Sequence, residues 1–211
     1  MRADNSARDC LFAVFEWGGI RNQAVGAGGF LRKLPDARSY FARTAQALAL
    51  ETAIIDPKTL YPVSESQPLL MNAMLTKAHA LLAGDGLPIY DSRVAASIAT
   101  LVALYAKERS LRETPRLLMF PLTDRAARRG VPVDLVVDRQ WHVSAHGQFR
   151  RTQEWTSAKL RLGWITRAAL EANPKLFGKG AIESRMRAFE ASLFMTGYDT
   201  RAFVPDRVRS A

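Results

Sequence analysis

Hydrophobic positions along the chain recur mostly at helical spacing, and breaks in that spacing divide it into segments. From Asp9 to Trp17, the cluster Leu11, Phe12, Val14, Phe15 and Trp17 predicts a short buried helix, stopped by Gly18-Gly19. Gly18 to Gly29 holds five glycines and reads as a loop or a loosely wound helix. Pro35-Asp36 offers a start signal, after which Tyr40, Phe41, Thr44, Leu48 and Glu51 keep the helical period as far as Thr52. Pro57 to Gln67 carries turn-forming residues and reads as a connection. Pro68 is expected to open the next helix, where its missing N–H costs nothing, and Leu69, Leu70, Ala73, Met74, Lys77, Ala78, Leu81 and Leu82 carry it to Gly84-Asp85-Gly86.

A short apolar link, Leu87-Pro88-Ile89-Tyr90, leads to Asp91-Ser92-Arg93, and Val94, Ile98, Leu101, Val102 and Tyr105 predict a strong helix with a charged exit at Lys107-Glu108-Arg109. Arg116 to Pro121 and Val131 to Val137 are short apolar runs that fit strands or loops equally well. Gln148 to Asn173 reads as a long helix closed by Asn173-Pro174, and Ile182 to Thr196 as the last one. The expected fold is mainly α: a compact multi-helix arrangement of residues 1–211, as one domain or as two helical lobes with a cleft between them, with at most a few short strands in the middle.

Composition narrows the function classes. Hydrophobic residues make up 48% and charged residues 24%, which suits a folded chain and not a disordered one. Lys and Arg number 30 against 20 Asp and Glu, a net charge of +10. Most of the cations are arginines, whose planar paired donors match phosphate oxygens, so nucleic acid is the first candidate partner. A bland reading stands beside it, in which Arg-rich codon usage merely keeps the protein soluble.

Cys10 is the single cysteine, which excludes an intramolecular disulfide framework and thiolate metal clusters and suggests a reducing, cytoplasmic setting. The polar start argues against a secretory signal, and the longest weakly polar run, Val94 to Ala106, falls short of the roughly 20 residues of a membrane span. His142 and His146 lack carboxylate or thiolate support, so no metal and no cofactor is expected. The glycine-rich stretch lacks the Gly-Lys-Ser/Thr ending of a nucleotide-binding loop.

The most informative segment is the link into the helix at Asp91. On spacing alone, Asp91 or Ser92 is an N-cap accepting orphan backbone N–H groups, an interaction worth about 1 kcal/mol. The run Pro88-Ile89-Tyr90-Asp91-Ser92-Arg93-Val94 also resembles the catalytic-aspartate segment of helix-hairpin-helix DNA glycosylases, over about Leu69 to Leu104. In that family the link commonly runs Pro-Val-Asp, two residues including Thr or Ser, then Val; here one more residue separates Pro from Asp. The family's Leu-Pro-Gly-Val-Gly hairpin has no counterpart in Gln67-Pro68-Leu69-Leu70-Met71. Lys77 is the nearest match to the nucleophilic lysine of bifunctional members, although closer to Asp91 than the family spacing; its plain reading is a lysine lying along a helix surface.

The resemblance implies an enzyme that flips a damaged or modified base out of duplex DNA and excises it, leaving an abasic site. Asp91 would stabilise positive charge developing on the deoxyribose. Arg93, Arg125, Arg128, Arg129, Arg150 and Arg151 are the candidate DNA contacts, and Tyr90, Trp17, Asn22 and Gln23 the candidate base pocket, with Trp141 a further stacking candidate. The altered hairpin leaves room for a bulky base, such as a modified cytosine of phage DNA, in a defence role. A monomer acting on DNA away from membranes is expected; the alternative is a basic DNA-binding protein without catalysis.

Overall fold

The structure, a computed structural model, describes residues 2–19, 24–122 and 148–203, with the side chains of residues 2–4 and 148–150 excepted. It is mainly helical, as the periodicity predicts. The helices are α1 (Arg2–Trp17), α2 (Gly26–Lys33), α3 (Ala37–Ala47), α4 (Leu75–Leu82), α5 (Ser92–Glu108), α6 (Gln148–Ala172) and α7 (Ile182–Thr196), with 3₁₀ turns at Arg116–Leu118 and Thr200–Phe203. An isolated antiparallel bridge joins Ile55 to Pro62, and Leu122 also takes part in a β bridge. The run at Arg116 to Pro121 is turn and loop; Val131 to Val137 lies outside the described residues.

Helix α1 packs against α2, α3 and α4, and α7 packs against both α5 and α6. The buried apolar side chains form one connected cluster through both groups, from Phe15, Leu31 and Phe41 to Val94, Leu160 and Met186.

Where helices start and stop differently from expectation, a side chain from elsewhere has captured the backbone. Pro68 does not open α4: the Leu69 N–H donates to the Tyr40 hydroxyl at 3.1 Å and the Met71 N–H to Thr152 Oγ1 at 3.2 Å, which takes these N–H groups out of any helix. Asn72 then caps α4, its Oδ1 accepting from the N–H groups of Met74 and Leu75 at 3.0 Å each. The helix predicted to run to Thr52 ends at Ala47, because the Leu50 N–H donates to Asp85 Oδ2 at 2.6 Å and the Leu50 carbonyl accepts from Trp164 Nε1 at 2.8 Å. Asp36 caps α3 as its sequence signal suggests, accepting from Ser39 N at 2.9 Å.

Several helix ends are closed by arginine. Arg8 donates to the carbonyls of Leu31 and Leu34 at the end of α2. Arg187 reaches the carbonyls of Ala80 and Ala83 at the end of α4, and Arg185 those of Leu170, Asn173 and Leu176 beyond α6. Arg161 gathers the carbonyls of Arg116, Leu117 and Met119. Each guanidinium supplies further N–H donors to carbonyls at a helix end or in the turn beyond it, some of which also accept a backbone N–H. Part of the arginine excess is thus structural.

Candidate functional site

Asp91 stands where the two groups of helices meet. It is the N-cap of α5: its extended backbone precedes the first turn, and Oδ1 accepts from Arg93 N at 2.9 Å and Val94 N at 3.2 Å. The capping expectation is met, but the cap engages only one oxygen. The other, Oδ2, lies 2.9 Å from Nζ of Lys77 on α4, and the two side chains are 8% and 10% exposed for Lys77 and Asp91 respectively. Lys77 Nζ also donates to the Ala73 carbonyl at 3.1 Å. Lys77 is therefore not a surface lysine but half of a buried ion pair, and each partner needs the other to compensate the loss of water.

The approach to the pair is built from small residues and thioether. A Cβ added at Gly18, just past α1, would lie 2.4 Å from Met74 Sδ and 3.2 Å from Lys77 Cδ, so a larger residue there would have to push aside the flexible end of Met74. Trp17, immediately before it, is 69% exposed and keeps a free ring surface.

Behind the pair sits a residue that sequence reasoning missed. Lys159, fully buried on α6, donates from Nζ to the Pro88 carbonyl at 2.5 Å, the Thr76 carbonyl at 3.0 Å and Thr76 Oγ1 at 3.2 Å. Thr76 Oγ1 in turn accepts the Tyr90 N–H at 2.9 Å. Lys159 so joins the residue before Lys77 to the link carrying Asp91. Burial holds its amine well below the usual lysine range, with the carboxylates of Glu190 and Asp85 acting against that shift and the cations of Arg187 and Lys77 adding to it. The signal was available: Lys159 lies four residues after Trp155 and three before Leu162, on the apolar stripe of its helix.

The remaining candidates divide. Tyr90 is fully buried, its ring 5.4 Å from Trp155 and 6.1 Å from Phe120 and its hydroxyl donating to the Pro121 carbonyl at 2.8 Å. Burial pushes its phenol far up. It is a core residue and offers no face to a base. Arg93 is half-buried with its guanidinium over two aromatic rings. Arg151 is exposed near the start of α6. Asn22, Gln23, Arg125, Arg128, Arg129, Trp141, His142 and His146, with the side chain of Arg150, lie outside the described residues.

His79, on α4, is buried against Phe41 at 4.9 Å between ring centroids, and among the described residues neither ring nitrogen has a hydrogen-bond partner. Burial, with the charge of Lys159 in second place, pulls its pKa down to about 3, so the ring is neutral at physiological pH. Among the described residues no cluster of His, Cys, Asp and Glu is arranged to hold a metal ion, and no helix is long and apolar enough to cross a membrane. An apolar cavity of about 330 Å³ lies between α1, α3 and α4, lined by Cys10, Phe41 and Leu81 among others, and a second of about 260 Å³ lies beside Arg43 and Ser64; neither reaches Asp91 or Lys77.

Comparison with protein families, with curated proteins and with solved structures finds nothing that matches the chain.

Proposed function

We propose that this protein is a DNA glycosylase that excises a damaged or modified base, with Asp91 as its essential carboxylate and Lys77 as the amine beside it. The observation that carries the reading is the 2.9 Å contact between Lys77 Nζ and Asp91 Oδ2. An amine and a carboxylate on two helices meet at low dielectric, at the amino end of α5, next to the Pro88–Val94 run that resembles the family's aspartate segment.

When the N-glycosidic bond breaks, the bonding electrons leave with the base and the sugar C1′ becomes cationic. A carboxylate held out of bulk water stabilises that cation, and water adds to C1′ while its proton is lost, leaving an abasic site. In this reading the incoming nucleotide displaces Lys77 from Oδ2, and the amide donors of Arg93 and Val94 keep Oδ1 aimed during the exchange. The basic balance of +10 suits a duplex substrate.

The test is incubation of the purified chain with DNAs carrying different oxidised, alkylated or glucosylated bases, native phage genomes among them, followed by alkali and a gel. Base release is expected from one class, and Asp91→Asn should lower it by about 10²–10³-fold or more while duplex binding persists. Borohydride trapping reports whether Lys77 forms a covalent adduct. Full activity of Asp91→Asn removes Asp91 from the mechanism.

A second reading is favoured by a specific observation: both carboxylate oxygens are occupied, one by the helix cap and one by Lys77, in a site nearly closed to solvent. That is how a structural tie between α4 and α5 is made. On this reading the chain is a basic DNA-binding protein without catalysis, and Asp91→Asn weakens stability while no DNA becomes alkali-labile.

A further inference from the structure

Of the arginines described above, Arg8, Arg161, Arg185 and Arg187 point their donors at backbone carbonyls. Arg93 does not. It lies in the first turn of α5, two residues beyond Asp91, and its Cζ sits 3.7 Å from the centroid of the Tyr198 ring and 4.4 Å from that of Phe194. Those rings meet edge to face, with 6.1 Å between centroids and 82° between planes, and so form a corner around the guanidinium. Among the described residues the guanidinium has no hydrogen-bond or ion-pair partner.

The corner is built with some precision. Gly197, at the end of α7, comes so close to α5 that an added Cβ would lie 2.0 Å from the Arg93 carbonyl oxygen. Ser97 Oγ pins the same two elements by donating to the Leu193 carbonyl at 2.6 Å. Tyr198 is 52% exposed, so the corner opens at the surface.

Contact with aromatic rings supplies no oxygen acceptor to the guanidinium N–H groups, while the rings restrict the rotamers that a free arginine would sample. The side chain is thus pre-ordered with its donors uncommitted. That arrangement suits an oxyanion, which accepts from two parallel N–H groups at once.

We propose that Arg93, held against Tyr198 and Phe194, is a seat for a backbone phosphate of DNA, placed to hold the duplex beside Asp91. The proposal deepens the reading of DNA as the partner and rests on it, but not on base excision. A guanidinium with N–H groups to spare binds a phosphodiester bidentately, and the aromatic corner narrows the directions from which one can approach. Arg93 is a binding residue, and Tyr198 and Phe194 position it.

The experiment measures affinity of the full chain for an unmodified 20-base-pair duplex over a series of KCl concentrations, for wild type, Arg93→Met, Arg93→Lys and Tyr198→Leu. Methionine keeps much of the packing on the rings and removes the donors. Arg93→Met should weaken binding about tenfold and flatten the log-affinity against log-salt slope by about 0.9, the loss of one phosphate contact. Arg93→Lys should keep the slope and lose a few-fold in affinity, and Tyr198→Leu should weaken binding through Arg93 alone, with no added effect in the Arg93→Met background. Circular dichroism and thermal unfolding confirm that each variant is folded, and Arg93→Lys carries the test if Arg93→Met is not. In ¹⁵N-arginine-labelled wild type, the Arg93 Nε–H resonance should move with micromolar duplex and not with the same concentration of inorganic phosphate.

Wild-type affinity and slope in the Arg93 variants overturn the proposal, as does a resonance that ignores the duplex. Because the duplex carries no modified base, failure of base release leaves this result standing, and an indifferent Arg93 leaves base release standing. A wild-type chain that does not bind DNA overturns both.

Discussion

Two buried lysines meet at the segment from Thr76 to Asp91, Lys77 belonging to it and Lys159 reaching it from α6, and they are held in opposite ways. Lys77 meets a carboxylate at 2.9 Å. Lys159 meets three neutral oxygens, with no carboxylate within ion-pair distance among the described residues, and burial pulls its amine well below the usual lysine range. Both have lost their water, yet only Lys77 has a counter-charge in return. Burial of a lysine therefore does not by itself mark a reacting centre. Lys77 belongs to a charged pair, whereas Lys159 is a three-pronged fastening for backbone and hydroxyl oxygens.

Removing one partner of the pair should have the largest effect on stability. Lys77→Met leaves Asp91 buried without its cation and should cost about 3–5 kcal/mol in urea unfolding, whereas Lys77→Met combined with Asp91→Asn should recover a large part of that loss. A single variant as stable as wild type would erase the distinction between the two lysines. Lys159→Met should cost less, roughly 1–3 kcal/mol, because it strands neutral acceptors rather than a charge. Were it instead more stable than wild type, the desolvation of the amine would outweigh its hydrogen bonds.

The finest test uses His79, whose depressed pKa carries a contribution from Lys159. The unfolded imidazole takes up a proton near its ordinary value of 6.5, and the folded one only near 3. Between those values the unfolded state binds more protons, so stability is fully present above about pH 6.5 and falls as pH drops toward 3, by up to about 1.4 kcal/mol per pH unit from this group. His79→Leu should flatten that part of the stability profile. Lys159→Met should leave the start of the acid limb near pH 6.5 and make its His79 part level off at slightly higher pH, since a charge that repels the folded imidazolium is gone.

Local signals in the sequence were reliable where local physics decides. The strong period of α5, the Asn173-Pro174 stop, the bounds of α7 and the caps at Asp36 and Asp91 involve residues only a few positions apart, and the structure agrees with them. Pro68 and the far end of α3 were misread because the deciding partners, Thr152, Tyr40, Asp85 and Trp164, come from distant parts of the chain. No spacing rule anticipates such captures.

The site was legible in a similar, partial way. Asp91 and Lys77 could be picked out one at a time, but that they touch follows from how α4 and the link fold back on one another. Tyr90 looked available for stacking because an aromatic beside a candidate carboxylate is ambiguous until its neighbours are known; Trp155 and Phe120 decide that it is core. The arginine excess pointed to phosphate as a whole, and only coordinates separate arginines that close helices from one resting on rings.

Asp91 and Lys77 sit fourteen residues apart in sequence, Lys77 within α4 and Asp91 at the cap of α5. The charged centre consequently exists only once α4 and the start of α5 are packed together. Any chemistry that uses it is switched on by completion of folding, and a partly assembled chain, though helical and basic, would carry the two groups without the encounter between them.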